Sequence, residues 1–148
     1  MKIAQCSCGE LRAEVRGLPD GGVVVCHCAE CQRRTGAPFG VGAYYSRDNV
    51  RITGTSTLYT REATSGHPFH QHFCPTCGTT LYWYSAYMPD TIGIAVGGFV
   101  DPQFPAPVRS VWEQTRHDWV ALPDAVQHFP QGRNSGPAKQ AGPRVRDV

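Results

Sequence analysis

The sequence predicts an all-β domain, mostly antiparallel, that is held together in part by metal, and three observations carry that expectation. Short runs with period-two alternation or β-branched residues recur between Gly, Pro and Asp. Helix signals are scarce. The seven cysteines fall into three close groups rather than into an even number of spaced partners.

Length and composition bound the answer. A chain of 148 residues with 41% hydrophobic content has material for one core of ordinary size. One domain is expected over residues 1–130. Beyond Pro130 the sequence has no apolar period to offset the entropy of ordering, so residues 131–148 are expected to form a disordered tail. No run approaches the roughly 18 apolar residues that span a bilayer, and the first residues lack the apolar stretch of a signal peptide. The expectation is a cytoplasmic protein with no membrane partner.

The formal charge is +2, but Arg133, Lys139, Arg144 and Arg146 against Asp147 give the tail a surplus of +3, which leaves −1 for the rest. That is far from the dense basic face that binding a phosphate backbone requires, so no nucleic-acid partner is expected. Edge strands in a small β domain leave room for a homodimer.

In order along the chain, Leu11 to Arg16 alternates apolar and charged residues and is stopped by Gly17, the pattern of a strand with one buried face. Val23-Val24-Val25 is a β-branched run leading into Cys26, and Phe39 to Tyr45 is apolar with small residues between. Arg51 to Gly54 followed by Thr57 to Thr60 reads as a hairpin. His70 to Cys74 and Thr79 to Tyr84 flank a Cys-Pro-Thr-Cys-Gly turn, and Ile92 to Phe99 and Val108 to Thr115 complete the strands. A helix of a turn or two is expected after Cys28, through Glu30 to Arg34, ended by Gly36 and Pro38. Tyr82, Trp83, Tyr84 and Tyr87 are expected to supply core and cleft wall, and Trp112 and Trp119 to anchor the last strand and the loop after it.

The cysteines carry the chemistry. A reducing compartment keeps thiols free, which favours metal binding over disulfides for clustered pairs. Cys6-Ser7-Cys8-Gly9 and Cys74-Pro75-Thr76-Cys77-Gly78 are short pairs, each followed by a glycine that lets the backbone fold back toward the sulfurs. Brought together they supply the four thiolates of a closed structural zinc site. Cys26, Cys28 and Cys31 then remain, three thiolates within six residues and no fourth cysteine to join them. Catalytic zinc has three protein ligands and an open fourth position, so this group fits a reactive site. A redox dithiol, or a purely structural site completed by His27 or a distant histidine, are the competing readings.

On an extended backbone His27 points away from Cys26 and Cys28. His70 and His72 share a strand face and are second-tier ligand candidates beside the ordinary reading as hydrogen-bonded side chains. Glu30 is a candidate general base, against a solvated carboxylate. Arg33 and Arg34 follow Cys31 directly and would damp thiolate charge or hold a substrate carboxylate.

The order Cys-x-Cys-Gly, Cys-His-Cys-x-x-Cys-Gln, Phe-Cys-x-x-Cys-Gly over roughly residues 3–115 resembles the glutathione-dependent formaldehyde-activating enzyme family, also called the centromere protein V family. The likeness continues in Arg34 to Phe39, Val50 to Gly54 and Phe73 to Thr79. It implies an Mss4-like zinc-stabilised β fold and two zinc ions per chain: a structural one on Cys6, Cys8, Cys74 and Cys77, and a catalytic, exchangeable one on Cys26, Cys28 and Cys31. It also implies carbon–sulfur lyase activity, with glutathione as thiol and formaldehyde as small aldehyde forming or releasing S-hydroxymethylglutathione. A non-catalytic zinc-binding interaction module of the same fold is the alternative.

Overall fold

A computed structural model describes residues 1–136. In chain order its strands are β1 (Lys2–Gln5), β2 (Arg12–Val15), β3 (Gly22–Cys26), β4 (Gly40–Ser46), β5 (Val50–Thr53) and β6 (Thr57–Glu62). There follow β7 (Pro68–Phe73), β8 (Thr80–Ser85), β9 (Met88–Ala95), β10 (Arg109–Val111) and β11 (Gln127–His128), with one α-helix, α1 (Ala29–Thr35), between β3 and β4. The chain is therefore mostly β with a single short helix. It divides into two compact units, Met1–Val23 with Gly42–Pro105, and Val24–Val41 with the described residues from Ala106 onward.

In the first unit β1, β2 and β5 form an antiparallel sheet in that order. The alternation read in β2 is realised, since Ala13 and Val15 are buried while Arg12 and Glu14 are not. A second antiparallel run has the order β4-β9-β8-β7-β6. Its central strand β8 buries Leu81, Tyr82 and Trp83 in succession. Trp83 is opposite Gly93, where an added Cβ would stand 2.1 Å from the indole nitrogen, so the neighbouring strand has no side chain there to compete for the space. Burial of so large a ring stabilises a domain by about 3–5 kcal/mol, judged by the cost of truncating one.

In the second unit β3 pairs parallel with β10, and β10 pairs parallel with β11. Helix α1 begins immediately after Cys28, whose sulfur accepts from the Cys31 N–H, and ends at Gly36 in the left-handed conformation, φ 66°. After β10, Trp112 also takes a positive φ of 61° and a 3₁₀ turn follows at Glu113–Thr115.

Several expectations are corrected. Arg51–Gly54 and Thr57–Thr60 are strands but not a hairpin: β5 pairs with β2 and β6 with β7. The cause is Gly54, at φ +90°, where a Cβ would lie 1.9 Å from the Glu10 carbonyl oxygen, so the chain is pressed against the Cys6–Glu10 loop instead of turning back. Strand character ends earlier than expected, at Ala95 and at Val111, each followed by a 3₁₀ turn. Trp119 is no anchor, being 71% exposed, and Tyr87 is 46% exposed. The expected tail is not among these corrections: the Ser135 N–H donates to the Gly132 carbonyl, and residues 137–148, most of that segment, lie outside the described residues.

Candidate metal centres

The first centre is built on two glycine-terminated turns. Cys6 follows β1; its carbonyl accepts from the Gly9 N–H at 3.0 Å, and Gly9 has φ +80°. Cys74 follows β7 with the same design, its carbonyl accepting from the Gly78 N–H at 2.9 Å and Gly78 at φ +74°. The positive φ folds each turn back so that both cysteines of a pair point to one place. The two turns are tied to each other by polar contacts: the Ser7 N–H and hydroxyl meet the Thr79 hydroxyl at 3.2 and 3.0 Å, and the Thr76 hydroxyl donates to Glu10 Oε2 at 2.7 Å.

Cys6, Cys8, Cys74 and Cys77 present sulfurs that all lie within 4.8 Å of one another. Cys6 Sγ is 3.4 Å from Cys8 Sγ, which is 3.6 Å from Cys74 Sγ. Zinc–sulfur bonds of about 2.3 Å in a tetrahedron hold sulfurs about 3.8 Å apart, so the set fits that ion. The surroundings favour the thiolate at Cys6 and Cys77, whereas burial and the neighbouring sulfurs of Cys6, Cys74 and Cys77 push Cys8 up to about 12. The Leu11 N–H donates to Cys6 Sγ at 3.3 Å, and the hydroxyl and backbone of Thr79 hold the Cys77 thiol down to about 5.

The second centre is local in sequence. Cys26 ends β3, Cys28 caps α1 and Cys31 sits in the first helical turn; their sulfurs also lie within 4.8 Å of one another. Here the three thiols compete. Contacts with Cys26 and Cys31, followed by the N–H groups of Cys31 and Glu30, hold Cys28 down to about 2. The same contacts with Cys28 and Cys31, with burial, push Cys26 up, and Cys31 is raised as well because its Cys28 contact and burial outweigh the pull of Cys26. Three sulfurs this close disfavour one another's ionisation, and the set is one that could hold a metal ion. The Arg34 charge favours the Cys31 thiolate; Arg34 Nη2 and Cys31 Cβ both lie over Gly40, at 2.7 and 3.4 Å from where its Cβ would be.

The other candidates separate clearly. Arg33 Nη1 pairs with Glu30 Oε1 at 2.7 Å, so the carboxylate considered as a base is engaged at the helix surface. His27 is fully buried and belongs to neither cluster: its Nε2 is 3.1 Å from Ser110 Oγ, its carbonyl accepts from Gln32 Nε2 at 2.7 Å and the Thr115 hydroxyl at 2.8 Å, and burial lowers its pKa to about 4. His70 bonds the Thr60 hydroxyl at 2.9 Å; His72 bonds Ser56 at 3.0 Å and stacks on Tyr82 with centroids 4.4 Å apart. Neither stands in a cysteine cluster. Sequence reasoning missed the polar group Ser110, Glu113 and Thr115 that surrounds His27. No spacing signal announces it, because its members stand more than 80 positions from His27 and face it through a parallel strand pair.

The mostly β architecture with two cysteine clusters is compatible with an Mss4-like zinc fold. No helix among the described residues is long and apolar enough to cross a membrane. Residues 1–115, which include every cysteine, match the family model described as glutathione-dependent formaldehyde-activating enzyme. Among solved structures, the chain is similar to a crystal structure of a Rhodobacter sphaeroides protein, a structural genomics target, at 26% identity and a TM-score of 0.55, covering 68% of this chain and 92% of that one. Among curated proteins nothing matches.

Proposed function

The chain belongs to the glutathione-dependent formaldehyde-activating enzyme family, and from that membership we propose that it is a zinc-dependent carbon–sulfur lyase acting on the adduct of a small-molecule thiol and a small aldehyde. S-hydroxymethylglutathione is the leading substrate. The observation that carries this reading is the cluster of Cys26, Cys28 and Cys31, a group of three ligands where the other cluster has four. A four-cysteine shell is closed; a three-cysteine shell leaves one position for an entering ligand.

In the synthetic direction the thiol sulfur attacks the aldehyde carbon, a carbon–sulfur bond forms, and the proton given up by the thiol ends on the former carbonyl oxygen. The reverse breaks the same bond. What zinc supplies at the three-cysteine site, when bound, is Lewis acidity that lowers the pKa of an entering thiol. The chain's own residues do the rest. The Cys31 N–H, donating to Cys28 Sγ at 3.4 Å, draws off part of the negative charge of the ligand set. Arg34 sets a permanent cation beside Cys31 and serves as the partner for a substrate carboxylate, which glutathione carries. Cys6, Cys8, Cys74 and Cys77 hold the structural ion. The working domain is proposed to run to about residue 130 and to act in the reducing cytoplasm.

The test is thiol- and aldehyde-dependent. Zinc-loaded chain is mixed with glutathione and ¹³C-formaldehyde, and exchange between free and adduct carbon is followed by NMR, alongside the spectrum of the cobalt-substituted chain. Faster exchange with a thiol-dependent cobalt spectrum supports the lyase. Uncatalysed exchange with a cobalt spectrum indifferent to thiol leaves the interaction module instead.

A further inference from the structure

His27 lies between two cysteines of the three-membered cluster and is pinned at every polar atom but one. Its N–H donates to the Val111 carbonyl at 3.0 Å, its own carbonyl accepts from Gln32 and Thr115, and its ring meets Phe39 edge-on at 5.8 Å. The exception is Nδ1, which is buried and has no hydrogen-bond partner among the described residues.

The protons can be assigned. Ser110 Oγ lies 2.6 Å from Glu113 Oε1 and 3.1 Å from His27 Nε2. An ionised carboxylate only accepts, so the single serine proton goes to Glu113, and Ser110 in turn accepts from an Nε2–H on His27. A proton on Nδ1 would be a buried donor with nothing to receive it, which costs more than an idle lone pair. Glu113 is fixed as the receiving end: its Oε1 also takes His128 Nδ1 at 2.7 Å and Arg116 Nη1 at 3.5 Å. The positive φ of Trp112 turns the chain between Ser110 and Glu113 so that both, with Thr115, converge on His27.

We infer that Glu113, acting through Ser110, is a positioning residue for the three-cysteine centre: it holds His27 as the neutral Nε2–H tautomer and thereby fixes the backbone that aims Cys26 and Cys28. This rests on the reading of that cluster as a metal site. Hydrogen bonds standing behind the ligands of a site tune its affinity about 10- to 100-fold.

The experiment uses the full chain loaded with cobalt, with Ser110→Ala and Glu113→Gln variants. Long-range ¹H–¹⁵N NMR reads the His27 tautomer, and chelator competition with the sulfur-to-cobalt charge-transfer bands reads each site. The expected result is an Nε2–H tautomer in the parent chain. Both variants should bind cobalt at the three-cysteine site about tenfold or more weakly and with shifted bands, while the four-cysteine site is unchanged. An Nδ1–H tautomer in the parent, or unaltered affinity and bands in both variants, overturns the inference. If Ser110→Ala does not fold, Glu113→Gln, which keeps volume but gives up the charge that receives Ser110, His128 and Arg116, decides by the same readouts. A parent chain that takes up cobalt only at four cysteines sinks the metal reading itself, a result distinct from a site that fills normally but ignores Glu113.

Discussion

Cys8 Sγ lies 3.6 Å from Cys74 Sγ, although 66 positions separate them. The contact joins the loop after β1 to the turn between β7 and β8, and it is the reason the N-terminal cysteine pair cannot be read as a local feature. Because the metal free energy is folding free energy, at about 10–16 kcal/mol for structural zinc sites, a strong chelator should unfold the first unit. Cys74→Ser should lower its stability by several kcal/mol at least, on the order of a third of that figure. Thermal unfolding followed by circular dichroism, with and without chelator, checks both; a chelated chain with unchanged melting contradicts the structural role.

Arg34 and Arg33 are adjacent, and a different interaction stands out for each. Arg34 acts on Cys31 and Arg33 on Glu30. Arg34→Gln should raise KM for glutathione about tenfold, the worth of one charge-assisted bond, with a smaller change in kcat. Arg33→Gln removes an exposed pair worth about 0–1 kcal/mol and should leave KM unchanged. Steady-state kinetics on the two variants decides, and equal effects would count against a role for Arg34 in holding substrate.

Tyr45 is buried with a hydroxyl that has no partner among the described residues, and burial, with the nearby Asp20, raises its pKa from 10.0 to about 12. The neutral phenol is the form the fold favours. Its contribution is therefore fully present below pH 10, the unfolded value, and is lost as pH rises toward 12. Ultraviolet titration should show one tyrosinate forming late, together with alkaline unfolding. Tyr45→Phe removes an unsatisfied polar atom, should change stability at neutral pH by less than about 1 kcal/mol, and should flatten that alkaline loss.

Gly93→Ala places a methyl 2.1 Å from the Trp83 indole nitrogen. Overpacking of this kind costs about 1–3 kcal/mol or more. Denaturant unfolding monitored by tryptophan fluorescence measures it, and a variant of parental stability would mean that Trp83 has room to move.

The amount of this molecule legible in the sequence follows from how local each feature is. The strand β2 was written in the alternation of Leu11 to Val15, and α1 in the run from Glu30 to Gly36, because both depend on neighbours within a few residues. The two cysteine groupings were legible from spacing alone, since three short clusters of two, two and three residues admit few combinations. Pairing was not. Whether β5 turns into β6 depends on a close approach between Gly54 and Glu10 that no local pattern encodes. The parallel pairing of β3 with β10 likewise joins segments 85 positions apart, as at Val24 and Arg109, and with it went the polar set around His27. Trp119 misled because a large ring suggests burial, whereas it stands 71% exposed beside the buried Val120.

The central claim, one closed and one open metal site, is tested most directly by zinc stoichiometry on chain prepared without chelator, compared with Cys28→Ser. The account predicts two zinc ions per chain falling to one in the variant, with the fold retained because Cys6, Cys8, Cys74 and Cys77 are untouched. One zinc ion per chain that the variant leaves in place would contradict it.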